Sequence, residues 1–320
     1  MMIRTIARMA VAACFFVLFG SIWVASSQER QGERRGPAPP AGYVHKPLRP
    51  TGWTPPMRPF TRLVDLKAQH KGEKKWSEWV VKDEHLWSQY IQSAPGSKVS
   101  PRFHPDTREW WVILEGQIRF NIEGQQPFTA RRRSMVQVPP QTIYSMETVG
   151  DVPAIRFETN IQNAVTIYVE PPNLTLPGFE IVPVTTARRP FPYGKENKPH
   201  INFDDLAANP DYTGSRFVDD DRAVSNIIFT RDPSKLPPVM EHDTSHWHAG
   251  GAEYWVVLMG QIRFPLEHQE IFILNEGDLA YAPAFTRHEP RGWGDGPACR
   301  LAMDGVTSLT SGGRDGKHAR

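Results

Sequence analysis

The strongest constraint on this chain is that it contains one stretch twice. Glu109 to Phe120 reads EWWVILEGQIRF and Glu253 to Phe264 reads EYWVVLMGQIRF, at a constant offset of 144 residues. The likeness reaches upstream, where His85 to Ile91 (HLWSQYI) parallels Arg222 to Ile228 (RAVSNII). The second copy then holds seven more residues before its histidines, within the loop Arg231 to Asp243, which is expected at the mouth of any site there. A chain of 320 residues is long enough for two similar bodies, each with its own core.

The repeated segments read as β-structure. Apolar and polar residues alternate in short runs broken by Gly, Pro, Asn and Asp, with turn signals every 8–12 residues or so. In the stretch from Glu253, Trp255 and Val257 share a face with the carboxylate, while Tyr254, Val256 and Leu258 occupy the other. A strand apolar on both faces is buried on both sides. The outer face is therefore expected to pack on the other copy or on a second subunit, which leaves a homo-oligomer open.

Outside the copies the chain is punctuated by proline. Residues 28–59 carry eight prolines and read as an extended arm. The copies occupy 60–170 and 200–310, separated by a Pro-rich linker over 171–199 and followed by a flexible tail over 311–320. Ahead of the arm, Arg4 and Arg8 precede an apolar run from Met9 to Val24, and the small residues Ala25-Ser26-Ser27 close it. This pattern predicts a signal peptide over 1–27, a periplasmic or secreted protein and no stable membrane span after cleavage. The alternative is an uncleaved anchor. Once the leader is removed, Cys299 stands alone, so no disulfide forms within the chain.

Charge argues against one class of partner. Residues 1–59 hold eight basic and two acidic side chains, so the remaining 261 carry 29 basic against 33 acidic. The part that folds is mildly acidic, which speaks against nucleic acid and leaves a small molecule as the expected partner.

The copies differ in their chemistry. Ahead of Glu253 stand His246 and His248, and His288 follows; the matching positions of the first copy are Arg102, His104, Glu109 and Tyr144. On a strand, residues two apart project to the same side, so His246 and His248 point together. Three imidazoles and a carboxylate suit a divalent transition metal such as Mn, Fe, Ni, Cu or Zn. An arginine has no lone pair to offer, and a tyrosine is a poor ligand at neutral pH. A buried Glu109 would then need another source of positive charge. Arg102 is expected to supply it, with Tyr144 and His104 adding hydrogen bonds; the alternative is an outward, solvated Arg102. Glu241 and His242, on the inserted loop, are candidates for a general acid or base. Arg263 alternates with Ile262 and Phe264 and is expected on the outer face, and Trp247 and Trp255 are expected in the core.

The spacing His-x-His-x4-Glu-x6-Gly, then Gly-x5-Pro-x4-His, over His246, His248, Glu253, Gly260, Gly277, Pro283 and His288, resembles the two motifs of the cupin superfamily. With the repeat, the chain resembles a bicupin. The resemblance implies an all-β protein of two double-stranded β-helix (jelly-roll) domains. It also implies one divalent metal, Fe or Mn, in the second copy. The motif departs at Phe285, where glycine follows the proline in the family, and at Gly292, which replaces a closing Asn. Two function classes follow from the resemblance. One is a metal-dependent dioxygenase or decarboxylase acting on a small oxygen-rich substrate; the other is a non-catalytic protein that binds a metal or small ligand.

Overall fold

The computed structural model of this chain describes residues 43–172, 176–195, 197–237, 246–305 and 310–311. The expected signal peptide, the catalytic candidates Glu241 and His242 and nearly all of the tail lie outside the described residues. Among the described residues no helix is long and apolar enough to cross a membrane.

The repeated stretch folds in both copies as two strands that turn a corner, the first in the larger sheet and the second in the smaller one, and its composition explains why. Strand Gln117–Ile122 alternates exposed and buried residues, as expected of a strand with one wet face. Strand Glu109–Glu115, apolar on both faces, is buried along almost its whole length. The corner that carries the chain from one sheet to the other holds a left-handed residue, supplied by Gly116 (φ 69°) and Gly260 (φ 65°). A Cβ on Gly260 would also lie 2.3 Å from the Pro297 carbonyl, so glycine is required there twice over.

Each copy is built on two larger antiparallel sheets, and in the second Trp247–His248 also pairs with Thr310–Ser311. In the first, six strands run in the order His200–Asn202, Ser134–Val138, Glu109–Glu115, Ala154–Ile161, Leu86–Ser93, Trp76–Lys82. Facing them are Ile167–Tyr168, Lys98–Phe103, Tyr144–Val149, Gln117–Ile122 and Phe128–Arg131. In the second copy the larger sheet is ordered Phe60–Thr61, Leu279–Ala282, Glu253–Met259, Ala298–Asp304, Val224–Thr230, Gly214–Asp219. Opposite it lie Phe272–Asn275, Gln261–Phe264 and Arg291–Trp293. Each barrel has its own apolar filling, around Trp111, Phe120 and Val136 in one and Trp255, Phe264 and Leu274 in the other.

The outer faces of the two large sheets meet. A single core joins Tyr90, Trp110, Val112 and Phe157 of the first copy to Tyr254, Val256, Leu301 and Met303 of the second. The doubly apolar strands thus pack on the other copy. Two polar links lie in this core: the Tyr254 hydroxyl is 2.9 Å from Ser88 Oγ, and Tyr90 donates to the Gly277 carbonyl at 2.7 Å. Tyr281 belongs to this core as well and donates to Asp83, so it faces away from the second barrel's interior.

The division at 60 and 200 needs correction. Strand Phe60–Thr61 pairs with Leu279–Ala282 of the second copy, and His200–Asn202 pairs with Ser134–Val138 of the first. Each copy lends an edge strand to its neighbour, which covers an otherwise open sheet edge. The described part of the arm lies along the second copy. Trp53 donates to the Tyr281 carbonyl at 3.0 Å, and Lys46 pairs with Glu267 at 3.2 Å. Two apolar aromatic residues, Trp53 and Phe60, find partners in the second copy and hold the proline-rich chain against it. The linker likewise returns over the first copy, where Arg188 donates to the Gln141 carbonyl and Tyr193 to that of Gln137.

Candidate metal centre

His246, His248, Glu253 and His288 come together, with one ligand atom from each lying within 4.8 Å of the others. Their positions follow from the strands. Glu253 opens Glu253–Met259 and shares its inner face with Trp255 and Val257. His246 and His288 face each other across an antiparallel bridge closed by reciprocal backbone hydrogen bonds of 3.2 and 3.0 Å. His248 is fixed by its carbonyl, which accepts from Phe285 N–H at 2.8 Å. Phe285 holds a left-handed backbone (φ 65°), as does Gln141 (φ 63°) at the matching turn of the first copy, where its N–H bonds the His104 carbonyl. The motif's glycine is gone, but its backbone shape persists at the cost of strain. Phe285 packs against Trp247, with ring centres 5.2 Å apart, which helps hold that shape.

The donor atoms converge on the Glu253 carboxylate. From its Oε2 the Nε2 atoms of His248, His288 and His246 lie at 2.7, 2.9 and 3.8 Å. All four residues except His246 are buried, and His246 is the side that meets solvent. Burial alone would raise the Glu253 pKa, but the three imidazoles hold it well below the ordinary carboxylate range. Burial would lower His248; the Glu253 charge overrides it and pushes it up to about 9. His288 goes the other way, down to about 4, because burial dominates.

Three features of this geometry fit a divalent cation. Nδ1 of His288 donates to the Thr286 carbonyl at 2.9 Å, which leaves the Nε2 lone pair of the neutral ring facing a carboxylate oxygen 2.9 Å away. Two lone pairs at that distance repel unless a cation lies between them. His248 Nε2 approaches Glu253 closely but is not aligned as a hydrogen bond, and it has no hydrogen-bond partner. The donor set, three imidazoles and one carboxylate, is one that first-row transition ions accept, and binding would displace the His248 proton.

The first copy places a closed network at the same four positions. Arg102 turns inward, its Nη2 3.8 Å from Glu109 Oε1 and its Nε donating to the Tyr144 hydroxyl at 2.7 Å. Tyr144 in turn donates to Glu109. His104 Nδ1 donates to the Val165 carbonyl at 2.8 Å, and its Nε2 lies 2.9 Å from Glu109 Oε2. Both ring nitrogens thus face acceptors, which suits an imidazolium. Burial works against charge on both groups. Even so, the network raises the His104 pKa, and Arg102 above all brings Glu109 down to about 2.

Other expectations are placed as follows. Arg263 is on the outer face, over the Trp293 ring. Trp247 and Trp255 are buried, and Trp255 packs edge-on against His288 with ring centres 4.8 Å apart. The sequence reading passed over Asp304 and Arg300. Asp304 is the cross-strand partner of Glu253, and burial together with the Glu253 charge pushes its pKa well up. Arg300 lies on the same inner face, four residues back along that strand. Carrying the 144-residue offset past His288, to Arg156 and Asn160, would have drawn attention to both.

Comparison with known proteins agrees with the fold. The cupin domain family matches this chain twice, over residues 89–158 and 235–303. No curated protein matches the sequence. Among solved structures, a cupin 2 conserved barrel domain protein from Leptotrichia buccalis superposes with a TM-score of 0.52 at 12% identity, covering 76% of this chain and 94% of that one. A Bacillus subtilis oxalate decarboxylase gives a TM-score of 0.45 at 17% identity, covering 74% and 75%.

Proposed function

We propose that this chain, which carries a cupin domain in each half, is a metal-dependent enzyme working from its C-terminal barrel. His246, His248, Glu253 and His288 hold one divalent ion there, of the Fe or Mn type. The reaction is oxidation by O2, or decarboxylation, of a small oxygen-rich substrate. The observation that carries this reading is the convergence of four donor atoms within 4.8 Å, set against an ion-paired network at the same positions of the N-terminal barrel. The N-terminal barrel is then a scaffold without metal.

The ion, when bound, supplies Lewis acidity and a redox partner. The chain supplies the rest. Glu253 contributes a single negative charge, which leaves a divalent centre positive overall and attractive to oxygen donors. The Thr286 carbonyl fixes the tautomer and ring plane of His288. Trp255, packed on that ring, keeps one side of the centre dry. His246, with a side chain 30% exposed, marks the side open to substrate. Export, with acquisition of the ion outside the cytoplasm, is part of the same proposal and rests on the N-terminal sequence.

The test is metal analysis of protein purified from its native compartment, with electron paramagnetic resonance of the ion. The expected content is one ion per chain, lost in His248→Ala and kept in His104→Ala. O2 uptake and CO2 release are then followed across small oxygen-rich acids and phenols. A purified chain that takes up no transition ion would end the proposal.

A further inference from the structure

One carboxylate on the inner wall of the N-terminal barrel has no counterpart at the matching position of the C-terminal barrel. In the N-terminal barrel Glu158 projects inward and accepts three hydrogen bonds. They come from Trp111 Nε1 at 2.9 Å, Gln89 Nε2 at 3.1 Å and Arg156 Nε at 3.2 Å. The three donors sit on Glu158 itself by register, since Trp111 and Gln89 are its two cross-strand partners and Arg156 is two residues back. The guanidinium and the carboxylate, both buried, satisfy each other.

The C-terminal barrel repeats the donors and deletes the acceptor. Trp255 and Arg300 stand at the positions of Trp111 and Arg156, and Asn226 replaces Gln89 with the same kind of amide. Ala302 stands where Glu158 does, again with the tryptophan and the amide residue as its cross-strand partners. Arg300 Nε is shielded from solvent and has no hydrogen-bond partner. Burial drives the Arg300 pKa down to about 10, a sign of a guanidinium without a paired carboxylate. A shielded donor without a partner is costly to maintain, even where the rest of the side chain is only half-buried. The Glu253 carboxylate of the candidate metal centre acts on this guanidinium through space, which links the two places.

We propose that the C-terminal barrel takes the carboxylate of a small organic acid into the place that Glu158 fills in the N-terminal barrel, bound by Arg300, Asn226 and the Trp255 indole N–H. The proposal names a substrate class for the site described above and rests on that site being the functional one. The guanidinium supplies the opposite charge, the indole and amide N–H groups supply direction, and the methyl side chain of Ala302 supplies room. Arg300 is then a specificity-determining residue, and the remaining part of the acid projects toward Glu253 and the three histidines.

The experiment uses the full mature chain, stripped of metal by chelation and then reloaded with Mn2+. Acetate, lactate, benzoate and malonate are titrated by calorimetry and thermal shift, beside acetamide, benzamide and sulfate. At least one carboxylate is expected to bind, and its amide is not. Arg300→Gln is expected to weaken that binding at least tenfold while metal content stays that of the parent. Ala302→Glu restores the built-in carboxylate, so it is expected to raise the melting temperature and abolish carboxylate binding. Equal binding to the parent and Ala302→Glu would overturn the proposal, even if Arg300→Gln failed to fold. So would equal binding of acids and amides, preference for sulfate, or binding of none of the four acids. Carboxylate binding that follows Arg300 in a chain taking up no metal would uphold this site and sink the metal proposal. Metal uptake without carboxylate binding would do the reverse.

Discussion

Arg102 Nη2 stands 3.8 Å from Glu109 Oε1 in the N-terminal barrel, where the C-terminal barrel sets His246 Nε2 3.8 Å from Glu253 Oε2. The same buried carboxylate is compensated by a guanidinium in one copy and by imidazoles in the other. Removing the guanidinium leaves Glu109 with His104 and Tyr144 alone. Arg102→Ala is therefore expected to destabilise the chain by about 3–5 kcal/mol, the usual cost of breaking a buried pair from one side. Urea unfolding measures it. A midpoint equal to that of the parent would show that Arg102 has no part in holding Glu109.

The same network sets a pH window. The Glu109 pKa is lowered from 4.5 to about 2, so its contribution is present above pH 4.5 and is lost as pH falls toward 2. The His104 pKa is raised from 6.5, so its contribution is complete below pH 6.5 and is lost as pH rises through the higher folded value. Both are present together between about pH 4.5 and 6.5. In unfolding free energies measured from pH 3 to 9, His104→Gln should flatten the alkaline limb and Glu109→Gln the acid one. An unchanged alkaline limb in His104→Gln would mean that the ring stays neutral.

What the sequence shows and hides follows from the kind of information each residue carries. The β character of the repeats and the four residues that converge were legible, because period-two alternation and a fixed motif spacing are local. Phe285 did not betray that its turn survives, since a left-handed backbone held by Trp247 packing leaves no mark in composition. The exchanged strands Phe60–Thr61 and His200–Asn202 were assigned to the wrong copies because two or three residues carry no address. Only the completed sheets show which edge they cover. Arg300 was hidden for a different reason: its meaning lies in the absence of a glutamate at Ala302, visible only once Glu158 is seen holding Arg156.

Tyr90 ties the copies together through its hydroxyl, buried and 2.7 Å from the Gly277 carbonyl. Gly277 opens the turn that leads into Leu279–Ala282, a neighbour of the Glu253 strand. Tyr90→Phe leaves that carbonyl without its partner in a dry interface and should cost about 1–3 kcal/mol. The loss should appear in one cooperative transition, since both copies share the core. Two separate transitions in calorimetry would show that the copies unfold independently.

The two barrels invite a direct exchange of chemistry. His104 and Glu109 are already in place in the N-terminal barrel, 2.9 Å apart, at the positions that match His248 and Glu253 in the other. Arg102→His combined with Tyr144→His completes the same set of three imidazoles and one carboxylate. It also removes the guanidinium, whose charge would repel a divalent ion. Metal content should rise from one to two per chain, and a further Glu109→Gln should return it to one. The metal-free double variant should be less stable than the parent, because Glu109 has lost its guanidinium, and saturating metal should restore much of the difference. If content stays at one ion while the variant folds, the N-terminal barrel excludes metal by more than these two residues. The nearby carboxylate–guanidinium pair of Glu158 and Arg156 would be the next group to change.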